Sequence, residues 1–208
     1  KASVLSACGT PTSSETPTSK AFVPFFAKQL RPTAPSTRLL NTFLRPMLFN
    51  VAKRGDVDAF HVLIAADGAG DVNTKDGAGR TPLIVAVSGG NVKMVEALLS
   101  AGANVDDTDA HGSTPLMFAA GEGNVSAIQV IIAAGASVDA AEGAGCTALM
   151  TAAMCGHLPA VAALLAAGAY LEAKDTMGLT AIMHAVQNGH TQVIKALRQA
   201  GANTRGFR

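Results

Sequence analysis

The chain has no tryptophan, a single tyrosine and few aromatic residues of any kind, at 4% of its 208 residues, although 49% of them are hydrophobic. A core without large rings has to be built from alanine, leucine, valine, isoleucine and methionine. These small side chains suit helices that lie close together. The length allows one domain of ordinary size plus an arm, and two full domains are not expected.

Cysteine is also scarce, and Cys8, Cys146 and Cys155 form no paired short spacing. The sequence therefore indicates neither a disulfide framework nor a zinc site, and we expect no metal or cofactor. No stretch approaches the roughly 18 to 20 uninterrupted apolar residues of a membrane helix, so no direct membrane span is expected. Nucleophile turns and phosphate-binding glycine loops are missing too, which argues against an enzyme.

Acidic residues are nearly missing from the N-terminal part of the chain. Residues 1–46 carry six Lys or Arg and one Glu, whereas residues 47–208 carry ten basic and fourteen acidic residues. An acid-poor leader rich in Ser, Thr and Arg is typical of organelle targeting, but the same composition is typical of a disordered tail. The compartment stays open between an ordinary intracellular location and a chloroplast or mitochondrion.

A repeat of 33 residues organises the rest of the chain. Its clearest copies are GRTPLIVAVSGG from Gly79, GSTPLMFAAGEG from Gly112, GCTALMTAAMCG from Gly145 and GLTAIMHAVQNG from Gly178. A weaker copy begins at Asn50. Fixed periods of this length are the signature of stacked repeat architectures.

Each period carries the signals of two helices. Four threonines stand where an N-cap oxygen accepts from the free amides of a first helix, and they are Thr81, Thr114, Thr147 and Thr180. The second helix presents aliphatic residues at the spacing of a buried stripe. These are Val95, Leu98 and Leu99, then Ile128, Ile131 and Ile132, then Val161, Leu164 and Leu165.

The pattern resembles the ankyrin repeat, which implies an all-α solenoid of helix-turn-helix units with hairpin-like fingers. We predict about five repeats, near residues 46–78, 79–111, 112–144, 145–177 and 178–208, after an extended basic arm (1–35) and a capping helix (36–45) that stops before Pro46. The cap would cover the exposed end of the stack. The family's usual His after TPL is replaced by Ile84, Met117, Met150 and Met183, so apolar contacts should replace its links between fingers.

The resemblance also implies a function, the docking of a protein partner in the groove formed by finger tips and first helices. The alternative is a permanent accessory subunit of a large multi-protein complex, in an organelle or elsewhere. Acidic residues outnumber basic ones in the fingers, which disfavours nucleic acid as a partner.

Family contact positions, carried over residue by residue, give the candidate partner-binding residues. They are Arg80, His111, Ser113, Glu122, Cys146, Met154, Cys155, Met177, Leu179, Gln187 and Asn188. Among them, Met154, Met177 and Leu179 should form an exposed apolar patch. The FVPFF cluster of the arm adds Phe22, Phe25 and Phe26 as anchors for a neighbour or, in the competing interpretation, for this chain's own groove.

Overall fold

The structure is a computed structural model that describes residues 37–67 and 71–203. The predicted arm, with its three phenylalanines, lies outside these ranges. Ten α-helices occur within them: α1 Thr37–Arg54, α2 Val57–Asp67, α3 Pro82–Ser88, α4 Val92–Ser100, α5 Pro115–Gly121, α6 Val125–Ala133, α7 Ala148–Cys155, α8 Leu158–Ala166, α9 Ala181–Gln187 and α10 Thr191–Gln199. The described ranges contain no β-strand, only an isolated antiparallel bridge between Ala141 and Thr147. The predicted all-α repeat architecture is confirmed.

The helices form two layers. The odd-numbered helices α1 to α9 contact one another in chain order, as do the even-numbered helices α2 to α10, and each odd helix also contacts the even helix that follows it. The predicted stripe of the second helices fills the space between the layers. Leu98, Ile131 and Leu164, at equivalent places in three repeats, are all fully buried.

The prediction that the capping helix stops before Pro46 is wrong. Helix α1 continues through Pro46 to Arg54, so the predicted cap and the first helix of the first repeat are one helix. Proline costs a helix interior one hydrogen bond, but tertiary contacts hold this helix together. Leu48 and Val51 are buried in the core, and Arg45 donates hydrogen bonds to the Thr74 hydroxyl and to the carbonyl of Lys75 at 3.2 Å.

The predicted threonine caps hold the odd helices in place. Thr81 accepts a hydrogen bond from the amide of Ile84, Thr114 from Met117 and Thr147 from Met150, at 3.3 to 3.4 Å. Thr180 occupies the same N-cap position before α9 but makes no such bond. Its buried hydroxyl has no hydrogen-bond partner among the described residues.

Backbone hydrogen bonds join consecutive fingers, although the histidine that usually follows TPL in the family is replaced here. The amide of Ala110 donates to the carbonyl of Ala78 at 3.0 Å, Gly143 donates to His111 at 3.0 Å, and Thr176 donates to Ala144 at 2.9 Å. Within the fingers, Asp76, Asp109 and Asp175 each accept two backbone amides. Glu142 stands at the same repeat position as these three aspartates.

His157 and His190 link repeats rather than forming a site. Each donates its Nε2 proton to a carbonyl in the odd helix of the preceding repeat, His157 to Gly121 in α5 and His190 to Met154 in α7, both at 2.9 Å. These contacts give both histidines a structural role.

Candidate functional site

An open cavity of about 380 Å³ lies between helices α5 and α7 and the finger that joins the third and fourth repeats. We call it the central groove. Its lining residues are Ser113, Met117, Phe118, Gly121, Glu122, Glu142, Cys146, Thr151 and Met154. The short odd helices and their fingers position this surface, because both are stacked side by side at the repeat spacing.

The central groove combines an apolar wall with acidic residues. Met117 is buried, Phe118 is partly buried, and Met154 keeps 39% of its surface exposed. Glu122 is exposed at the end of α5 and Glu142 is partly buried in the finger. Such a surface can take up an apolar side chain and hold a cationic group beside it.

Four of the predicted partner-binding residues meet in the central groove: Ser113, Glu122, Cys146 and Met154. Five further lining residues were not predicted from the sequence, and they are Met117, Phe118, Gly121, Glu142 and Thr151. Phe118 and Thr151 share one position of the repeat. This shared position could have predicted that both residues line the groove, because it places their side chains on the same side of successive odd helices.

The other predicted contact residues do not line this cavity. Arg80 forms an ion pair with Asp76 at 2.8 Å in the finger before α3, and His111 is exposed on the next finger. Cys155, Gln187 and Asn188 are exposed at helix ends.

The three residues of the predicted apolar patch differ in exposure. Met154 and Met177 are exposed, Met177 to 73%, so the prediction of exposure is confirmed for both. Leu179 is half-buried instead.

A second group of polar side chains lies at the junction of the fourth and fifth repeats. Cys146, Asp175 and His184 each offer one ligand atom, and these three atoms all lie within 4.8 Å of one another. We call this group the Cys-Asp-His cluster. Asp175 and His184 are buried and Cys146 is partly buried.

Asp175 connects the cluster to the backbone. Its Oδ1 accepts the amides of Met177 at 2.9 Å and Leu179 at 2.8 Å, while its Oδ2 accepts from Nε2 of His184 at 2.9 Å. Burial by itself raises the pKa of Asp175, but the Leu179 amide, His184 and the Met177 amide together hold that pKa below its usual value. The carboxylate is therefore charged at neutral pH.

The pKa of the Cys146 thiol is shifted upwards, whereas that of Asp175 is shifted downwards. Burial raises the pKa of the thiol, and the nearby carboxylates of Glu142 and Asp175 raise it further. A protonated thiol is a weak nucleophile, and the Nε2 proton of His184 is already bound to Asp175. The arrangement therefore offers little support for a catalytic cysteine, whereas its ligand types are those that bind transition metals.

A family model described as "Ankyrin repeats (3 copies)" matches residues 48–142 and again residues 128–205. The two matches together extend over most of the chain and contain the central groove and the Cys-Asp-His cluster. In the part of the chain that the structure describes, no helix has both the length and the apolar character needed to span a membrane.

Proposed function

Because the chain belongs to the ankyrin-repeat family, we propose that it is a protein-binding module whose central groove holds a segment of a protein partner. Ankyrin repeats generally mediate protein-protein interactions and are typically not enzymes. The proposal goes further than the family by committing to one surface of this chain. The observation that carries it is the open cavity between α5 and α7.

The character of the central groove indicates what kind of segment it takes. Met117, Phe118 and Met154 provide an apolar wall that a leucine, methionine or aromatic side chain would cover. Glu122 and Glu142 would attract a lysine or arginine next to that anchor. Desolvated apolar anchors supply most of the affinity of such interfaces, and charges at the rim mainly supply specificity and association rate.

A peptide library displayed on phage tests this proposal without knowledge of the natural partner. We expect enriched peptides to share an apolar residue beside a lysine or arginine, and to lose binding to Met154→Asp. Val62→Asp is the matched control, because Val62 is equally exposed, at 39%, and lies on α2. Glu122→Gln should weaken binding mainly at low salt, since the lost attraction is screened at high salt. Peptides that bind Met154→Asp as tightly as the parent chain would place the interface elsewhere.

The N-terminal arm is proposed as a second anchor, through Phe22, Phe25 and Phe26. Its basic residues would favour an acidic surface. A chain that begins at Ser36 tests this role with the same peptides or with a purified partner. Reduced partner affinity supports the anchor, unchanged affinity eliminates it, and increased affinity supports an arm that occupies the central groove and inhibits binding.

The alternative, a permanent subunit of a large assembly, makes a different prediction for the purified chain. A transient adaptor should elute from size-exclusion chromatography as a soluble monomer. A permanent subunit should be insoluble or aggregated without its complex.

A further inference from the structure

The Cys-Asp-His cluster has the composition of a metal site. It combines a thiol, an imidazole nitrogen and a carboxylate oxygen, all within 4.8 Å of one another. Thiolate and imidazole together select borderline-soft ions such as Zn²⁺ over Mg²⁺ or Ca²⁺, which prefer oxygen ligands alone. We propose that Cys146, Asp175 and His184 bind one Zn²⁺ ion at the junction of the fourth and fifth repeats.

The distances suit this ion after a small rearrangement. Zn²⁺ holds sulfur at about 2.3 Å and nitrogen or oxygen at about 2.0 to 2.2 Å, so tetrahedral ligand atoms lie about 3.3 to 3.6 Å apart. The Nε2 atom of His184 and Oδ2 of Asp175 are 2.9 Å apart. They would separate slightly as the ion replaces the shared proton, and the sulfur of Cys146 would approach by a shift on the order of 1 Å.

Backbone amides would orient one ligand of the site. The two backbone amides on Oδ1 of Asp175 leave Oδ2 directed at His184. Hydrogen bonds of this kind fix the orientation of metal ligands. The carboxylate of Glu142 also lies near the Cys146 thiol, and a water molecule would complete the four positions around the ion.

The charges around the cluster also favour a cation. Within residues 44–65 and 71–203, where side chains are described, neither Glu142 nor Asp175 forms an ion pair with a lysine or arginine. Both carboxylates lie near the Cys146 thiol. A divalent ion beside the thiol would balance their negative charge and would favour the thiolate form of Cys146.

The repeat itself does not impose this set of ligands. One period earlier, the positions of Cys146, Asp175 and His184 are occupied by Ser113, Glu142 and Thr151, and two periods earlier by Arg80, Asp109 and Phe118. Neither earlier set contains a thiol or an imidazole. The backbone scaffold recurs every 33 residues, but the metal-binding chemistry occurs at one junction of the described repeats.

Alkylation of Cys146 provides the decisive test, on the full chain with Cys8→Ser and Cys155→Ser so that Cys146 is the one remaining thiol. Coordination requires the thiolate and occupies its sulfur. We therefore expect Zn²⁺ to slow the reaction of Cys146 with iodoacetamide, and a chelator to restore the original rate. Co²⁺ in place of Zn²⁺ should give a near-ultraviolet thiolate charge-transfer band at one equivalent.

The matched control moves the thiol by one period. A chain with Ser113→Cys and Cys146→Ser, in the same background, places a thiol near Glu142 and Thr151 but without a histidine. We expect no Zn²⁺ protection of this thiol. In the parent background, His184→Gln and Asp175→Asn should each weaken Zn²⁺ binding by at least about tenfold.

Equal alkylation rates with and without Zn²⁺ would overturn the proposal, and so would equal protection of the thiol at position 113. If circular dichroism shows that His184→Gln does not fold, the alkylation rates of the chain that keeps His184 still test whether Zn²⁺ binds. Cys146 belongs both to this cluster and to the central groove, but peptide binding and thiol protection are measured independently, so the failure of one proposal can be distinguished from the failure of the other.

Discussion

The stability of the solenoid should depend most on the fully buried leucine and isoleucine of the second helices. Leu164 on α8 has no exposed surface, and α8 contacts the equivalent helices α6 and α10 on either side. Leu164→Ala removes three carbon groups, whose transfer to water accounts for about 2.4 kcal/mol. The cavity left behind adds about 24 cal/mol for each Å³ that the neighbours do not fill. We expect a total loss of about 3 to 4 kcal/mol, within the ~2 to 5 kcal/mol usual for this substitution.

Urea unfolding monitored by circular dichroism measures this loss as a shift of the midpoint at unchanged slope. Ile131→Ala, one repeat earlier and equally buried, should cost a similar amount. Leu165→Ala is the control within the same helix, because Leu165 is only partly buried and should cost less. Losses below ~1 kcal/mol for both Ile131→Ala and Leu164→Ala would refute the assigned helical register.

Two further substitutions test the turns and fingers. Gly156→Ala should lower the free energy of unfolding by ~1 to 3 kcal/mol, because Gly156 has φ +78° and a Cβ there would lie 2.5 Å from Nδ1 of His190. Gly168→Ala is the control, because Gly168 has a similar φ of +86° but open space around it. It should cost less free energy of unfolding in the same assay. Burial alone would raise the pKa of Asp76, but Arg80 and nearby amides hold that pKa below its usual value. The charged carboxylate therefore stabilises the fold at neutral pH, and this stabilisation is lost as the pH falls through the lowered pKa. Asp76→Asn should therefore destabilise the chain at pH 7, and thermal unfolding should show the difference from the parent chain disappearing in acid; a difference that persists there would contradict an electrostatic origin.

The sequence predicted the helices well because period and helix signals agree in each repeat. Thr81, Thr114 and Thr147 cap helices where the spacing placed them. The prediction that the helix ends before Pro46 was wrong because it applied a local rule for helix ends. Tertiary contacts override that rule here, including the hydrogen bonds of Arg45 to Thr74 and Lys75. Such contacts join residues far apart in the chain, and no local pattern reveals them.

The candidate sites were less predictable than the fold. Ser113, Glu122, Cys146 and Met154 follow from the family pattern, and the structure places them at one cavity. The Cys-Asp-His cluster could not be found in the same way, because its ligands come from a finger, the next finger and a helix of the following repeat. Its spacing matches no short metal motif, and the expectation of no metal rested on such motifs alone.

The continuous helix α1 has a mechanical consequence. At 18 residues, it is a rod about 27 Å long, and no hinge separates its first turns from the part that is buried in the first repeat. A force applied at Thr37 would be transmitted along the rod to Leu48 and Val51. The first turns of α1 and the first repeat should therefore unfold together under force. For the same reason, a shortened chain should begin before Thr37, because a chain that begins at Pro46 would lack the first half of a continuous helix.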